Sequence, residues 1–67
     1  MITGLIEYFG AHDRWYAQFP TGIADKFGNQ IAHGSGPSPD WATLEALKIA
    51  EDSHGWRGAV RFEVRNG

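Results

Sequence analysis

The sequence contains no cysteine. That excludes disulfide bonds and zinc–thiolate centres, and it agrees with a reducing compartment. Long apolar runs are also missing. No stretch reaches the ~18 residues that mark a membrane-spanning helix. The opening residues, MITGLIEYFG, carry neither a basic segment nor a small-residue cleavage pattern. They read as part of the folded chain rather than as a signal peptide, and the expected location is the cytoplasm. Charge of one sign is scarce too. The net charge is −2, too small to steer the chain strongly toward a highly charged partner. There is no internal repeat and no low-complexity segment, and the apolar fraction of 42% is that of an ordinary globular domain rather than a disordered tail.

What is present is aromatic. Three Trp, two Tyr and four Phe give large buried areas per residue, which a chain of 67 residues needs for a core. A single domain over residues 1–67 is expected, and a chain of this size buries only ~60% of its unfolded surface.

Residues 2–9 are apolar and aromatic enough for a strand, with Ile2, Ile6 and Tyr8 on one face and Leu5, Glu7 and Phe9 on the other. Gly10 to Asp13 is turn chemistry. Residues 14–19 alternate, with Trp15, Ala17 and Phe19 facing one way and Arg14, Tyr16 and Gln18 the other. These two segments predict a β-hairpin. DKFGN reads as a turn, and residues 30–33 as a short third strand.

The helix signals are the clearest. Ser38 suits an N-cap, Pro39 the first helical position, Asp40 the first turn and Gly55 the residue just past the end. A helix over Pro39–His54 follows. On a helical wheel Ala42, Leu44, Ala46, Leu47, Ile49 and Ala50 share one broad face, while Glu45, Lys48 and Asp52 lie opposite. Because alanine dominates the expected buried stripe, the helix should approach its sheet closely. Residues 59–65, AVRFEVR, form the last strand, with Val60, Phe62 and Val64 alternating against Arg61, Glu63 and Arg65. The predicted fold class is α+β, in the order ββ(β)αβ, with one helix packed on an antiparallel sheet.

Few chemistries fit this inventory. The glycines of residues 34–38 precede a helix, as phosphate loops do, but no Lys follows them and Asp40 repels an anion there. They read as a flexible connection with a helix start signal. His12, His33 and His54 lack the close spacing of a metal motif, so no metal and no cofactor is expected. Ser35, Ser38 and Ser53 stand without a His and an acid at recognisable positions, and a single helix on a small sheet leaves little cleft for paired carboxylates. The expectation is a protein that is not an enzyme.

Binding is the remaining class. If the helix covers the Trp15, Phe19, Phe62 and Val64 face, the uncovered face shows Leu5, Phe9, Arg14, Tyr16, Arg61 and Arg65, together with Glu7 and Glu63. Tyr, Trp and Arg are typical anchors of protein interfaces. Arginines interleaved with aromatics also suit single-stranded nucleic acid, which is kept as the alternative partner, although the negative net charge favours protein. Trp41 falls off the core stripe. It either folds back over the glycines or stands exposed as an anchor. A free edge strand leaves a homodimer open as well.

The run RWYAQF, then ATLEALKIAED, then AVRFEVR, spanning residues 14–65, resembles in layout the small phage-encoded inhibitors of bacterial machinery, namely anti-CRISPR proteins and phage inhibitors of host RNA polymerase. The same run, with Glu45–Ala46 on the helix, resembles antitoxins with a partial ribonuclease-H-like fold, which generally carry an extra DNA-binding segment not seen here. The resemblance is one of element order. Such inhibitors share no sequence signature, so no residue role carries over. It implies a non-enzymatic inhibitor that occupies the surface of a bacterial protein or complex.

Overall fold

Alternating aromatic and aliphatic residues give two strands, β1 (Ile2–Phe9) and β2 (Arg14–Gln18), joined by a tight turn in which Asp13 takes a positive φ of 49°. The computed structural model describes residues 2–65. The ends of the expected 1–67 domain, Met1, Asn66 and Gly67, lie outside the described residues. Strand β3 (Gly34–Gly36) follows, then α1 (Pro39–His54) and β4 (Val60–Val64). The sheet order is β3-β2-β1-β4. One helix on this sheet makes the chain an α+β domain.

Two expectations about the sheet are corrected. It is mixed rather than antiparallel, because β4 pairs parallel to β1, with Ile2 opposite Val60 and Ile6 opposite Val64. The reason is parity. Two antiparallel pairings leave β3 parallel to β1. A helical crossover from β3 then returns the chain to its starting end, so β4 runs parallel to both. The third strand is also displaced. It is not residues 30–33 but the glycine segment itself, in which Gly34 pairs with Ala17 and Gly36 with Trp15. The residues read as a flexible connection therefore form the sheet edge. Residues 24 and 30 make only an isolated bridge.

Steric need explains why glycine builds that edge. A Cβ on Gly34 would lie 2.2 Å from the Ala46 nitrogen and 2.6 Å from the Ala42 carbonyl oxygen. Ala42 and Ala46 are fully buried, and so is Ala17 beneath them. Small residues on both layers thus bring the helix almost onto the sheet backbone, as the alanine stripe implied. The helix lies over β3 and β2. Leu44 and Leu47, expected in its core face, instead point outward, with Leu44 68% exposed. The wheel position of Leu44 is opposite the centre of the Ala42, Ala46 and Ala50 stripe, and a leucine-width side chain does not fit between α1 and Gly34.

The helix ends where local chemistry demands. The N–H of Trp41 donates to Ser38 Oγ at 3.2 Å, Pro39 opens the helix, and Gly55 closes it at φ 64° with its N–H donating to the Glu51 carbonyl at 3.1 Å. Beyond it Trp56 turns back onto Phe19, ring centroids 5.1 Å apart, and Phe62 meets the same Phe19 ring at 5.4 Å. Ile6, Phe19 and Ile31 complete the core, and Val60 and Phe62 are half-buried against it. Val64, expected beneath the helix, is 44% exposed because α1 covers the opposite end of the sheet.

Candidate binding face and the Asp25–His54 clamp

Pairing in the sheet decides which side chains share its uncovered face. Across one row stand Ser35, Tyr16, Glu7 and Arg65; across the next, Gln18, Leu5 and Glu63. Phe9 is opposite Arg14, and Thr3 is opposite Arg61. All the open-face residues expected from alternation therefore do lie on that face. They are not one cluster. Arg14 pairs at the far end of β1 and Arg61 near its start, about 20 Å away at the usual rise per residue. Arg61 on β4 and Arg65 just past its end, four residues apart, are separated by about 13 Å on the same argument.

Phe9, Tyr16 and Arg14 do come together. The Phe9 and Tyr16 rings meet edge to face, centroids 5.1 Å apart. His33 tilts against the other side of Tyr16 at 5.3 Å, and His12 approaches at 6.5 Å. These rings and Gln18 line a hollow of about 190 Å³. His12 comes from the β1–β2 turn and His33 from the approach to β3. Neither was expected there, because the return of residue 33 beside Tyr16 depends on where β3 pairs. A larger cleft of about 430 Å³ opens next to it, lined by Gln18, Thr21, Ile31 and His33, where β2 and the chain entering β3 part beyond the Ala17–Gly34 pair.

Charge on this face is partly spent. Arg65 Nη1 lies 3.8 Å from Glu7 Oε2, an ion pair across neighbouring strands of the face. Arg14 and Arg61 make no ion pair among the described residues. At the edge of the other layer Tyr8 donates its hydroxyl to Asp13 at 2.6 Å, which raises the Tyr8 phenol above its ordinary pKa.

Trp41 combines the two alternatives set for it. Its side chain lies against Gly36, where a Cβ would meet indole Cδ1 at 2.1 Å, so it does cover the glycine segment. Yet it remains 58% exposed, on the helix layer and away from the sheet's open face.

A second arrangement was not legible from spacing. Asp25 Oδ2 and His54 Nδ1 are 2.9 Å apart although the residues are 29 positions apart in sequence. Asp25 Oδ1 also accepts the N–H groups of Phe27 and Asn29, both at 2.9 Å. These donors, with His54 foremost, hold the Asp25 carboxyl below its ordinary pKa against the opposing effect of burial. The Ala32 N–H donates to His54 Nε2 at 3.2 Å. The imidazole therefore carries its proton on Nδ1 and donates it to Asp25. Both ring nitrogens are engaged, so the pair acts as a clamp between the 25–32 segment and the helix end, with no basic nitrogen left to take a proton from a substrate. Among the described residues, no group of three or more His, Asp or Glu is arranged to hold a metal ion. No helix is long and apolar enough to cross a membrane.

No protein-family model, curated protein or solved structure matches this chain.

Proposed function

We propose that the protein is a small non-enzymatic binding module of bacterial or phage origin. It acts in the cytoplasm by occupying the surface of a bacterial protein or complex, in the manner of anti-CRISPR proteins and phage inhibitors of host RNA polymerase. The observation that carries this reading is the open sheet face, where Phe9, Tyr16 and His33 line a hollow and Arg14, which makes no ion pair among the described residues, stands opposite Phe9. Ring-lined concavities next to an arginine are where interface energy concentrates, because aromatic groups bury much area at little entropic cost. The occupied nitrogens of His54 support a binding role over a catalytic one.

The test is capture from bacterial lysate by the wild-type chain and by Tyr16→Ala with Arg14→Ala, read by mass spectrometry. A partner retained by the wild type and lost from the folded double variant supports the reading. A partner retained equally by both removes the open face.

The second reading is single-stranded nucleic acid, favoured by the same rings as stacking platforms with Arg14 as a phosphate contact. Labelled RNA and DNA titrated at two salt concentrations separate it, since phosphate-driven binding weakens steeply with salt. Flat curves at low salt eliminate it.

A further inference from the structure

Trp41, Leu44 and Leu47 follow one another at intervals of three along α1, so they form a slanted apolar ridge on the solvent side of the helix. They are 58%, 68% and 38% exposed. Two features separate this ridge from scattered surface apolar residues. Trp41 is seated: the bare backbone of Gly36 receives its indole, so the ring is held in place while its other side stays open. The ridge is also rimmed by acids. Asp40, Glu45, Glu51 and Asp52 surround it against the single Lys48. Arg57 pairs with Glu51 at 3.1 Å, whereas Asp40, Glu45 and Asp52 make no ion pair among the described residues.

We propose that this ridge is a docking surface for a basic amphipathic segment of a partner protein, distinct from the open sheet face and independent of its occupant. Charge complementarity selects the occupant. A second copy joined ridge to ridge would bring two acidic rims into one interface, and like charges there disfavour it. An anionic membrane surface or a nucleic acid is repelled by the same rim. A segment with leucines on one face and lysines beside them satisfies both the ridge and the rim. It uses the helix-in-groove logic with Trp41 as the anchor.

The test titrates two synthetic amphipathic peptides of matched apolar face, one with Lys and one with Glu on the polar face, onto the full chain. Tryptophan emission is followed, and Trp41→Phe assigns the signal. The expected result is a blue shift of Trp41 emission with the Lys peptide only. Leu44→Asp carries the decisive comparison, because it removes an apolar contact while adding an acid. Docking on the ridge predicts about tenfold weaker binding or worse, whereas undirected charge attraction predicts tighter binding. Leu44 is exposed, so the variant keeps its fold, checked by circular dichroism. Equal or tighter binding by Leu44→Asp, equal binding of both peptides, no binding of the Lys peptide, or self-association of the wild type abolished by Leu44→Asp would each overturn the proposal.

Discussion

Asp25 and His54, 2.9 Å apart, tie the 25–32 segment to the C-terminal end of the helix. The Asp25 side chain is only 3% exposed and accepts three hydrogen bonds there. Its carboxyl titrates lower in the folded chain than in the unfolded one, so the unfolded chain binds more protons in that range. Stability from this group is complete above the ordinary carboxylate pKa, about 4, and drains as pH falls through the depressed folded value. Thermal melts from neutral pH down to about pH 2 should show this loss. In Asp25→Asn the melting temperature should be lower at neutral pH and the acid limb flatter. An unchanged acid limb would mean that Asp25 contributes nothing through its charge.

Clearance between helix and sheet decides which side chains the buried helix positions can hold. Ala46→Leu inserts a large side chain where the helix backbone nearly touches Gly34, and overpacking of this kind costs about 1–3 kcal/mol. Leu44→Ala, two residues away, should change stability by no more than about 0.5 kcal/mol. Urea unfolding of both variants checks the contrast.

Gly34→Ala tests the same contact from the sheet. Its Cβ meets helix backbone atoms, which cannot rotate away as a side chain does. The expected cost is about 1–3 kcal/mol. Ser35→Ala, on the opposite face of the same strand, is the control and should be nearly neutral. Equal effects from the two substitutions would contradict the close approach of α1 to β3.

Arg61→Ala combined with Arg65→Ala should leave the melting temperature almost unchanged. Arg65 and Glu7 form an exposed pair at 3.8 Å, a class worth about 0–1 kcal/mol, and Arg61 makes no ion pair among the described residues. If the open face is the contact surface, the same variant weakens partner binding, and a large fall in stability would instead make these arginines structural.

For Trp41→Ala the partial exposure sets the scale. Full burial of an aromatic is worth about 1.5–3 kcal/mol, so a ring 58% exposed should cost less than about 1.5 kcal/mol when removed. Iodide quenching provides a second measurement. The quenchable emission should fall sharply in Trp41→Phe, because Trp15 and Trp56 are both half-buried.

Much of the fold was legible because the signals are local. Ser38, Pro39 and Gly55 place the helix ends through hydrogen bonds and backbone angles that span a few residues, and the structure has the helix at Pro39–His54. Alternation in residues 2–9 and 14–19 sorts side chains between two faces whatever the neighbouring strands do. The open-face membership of Phe9, Arg14, Tyr16, Arg61 and Arg65 was therefore readable before any pairing was known. What no local pattern contains is how elements meet. The parallel pairing of β4 follows from the number of strands before the crossover, and so it depends on glycines that carry no strand propensity. Leu44 and Leu47 read as core by their polarity, although on the wheel Leu44 lies opposite the alanine stripe and Leu47 only at its flank. Contact with Gly34 makes clearance decisive and gives the core to alanine. Asp25 with His54, and His33 with Tyr16, are likewise products of chain return. The sequence by itself determined β1, β2, α1 and β4, the ends of the helix and the sorting of the strand faces. Tertiary structure decided which face was buried and which distant polar groups met, because both depend on distances between backbones that residues adjacent in sequence do not set.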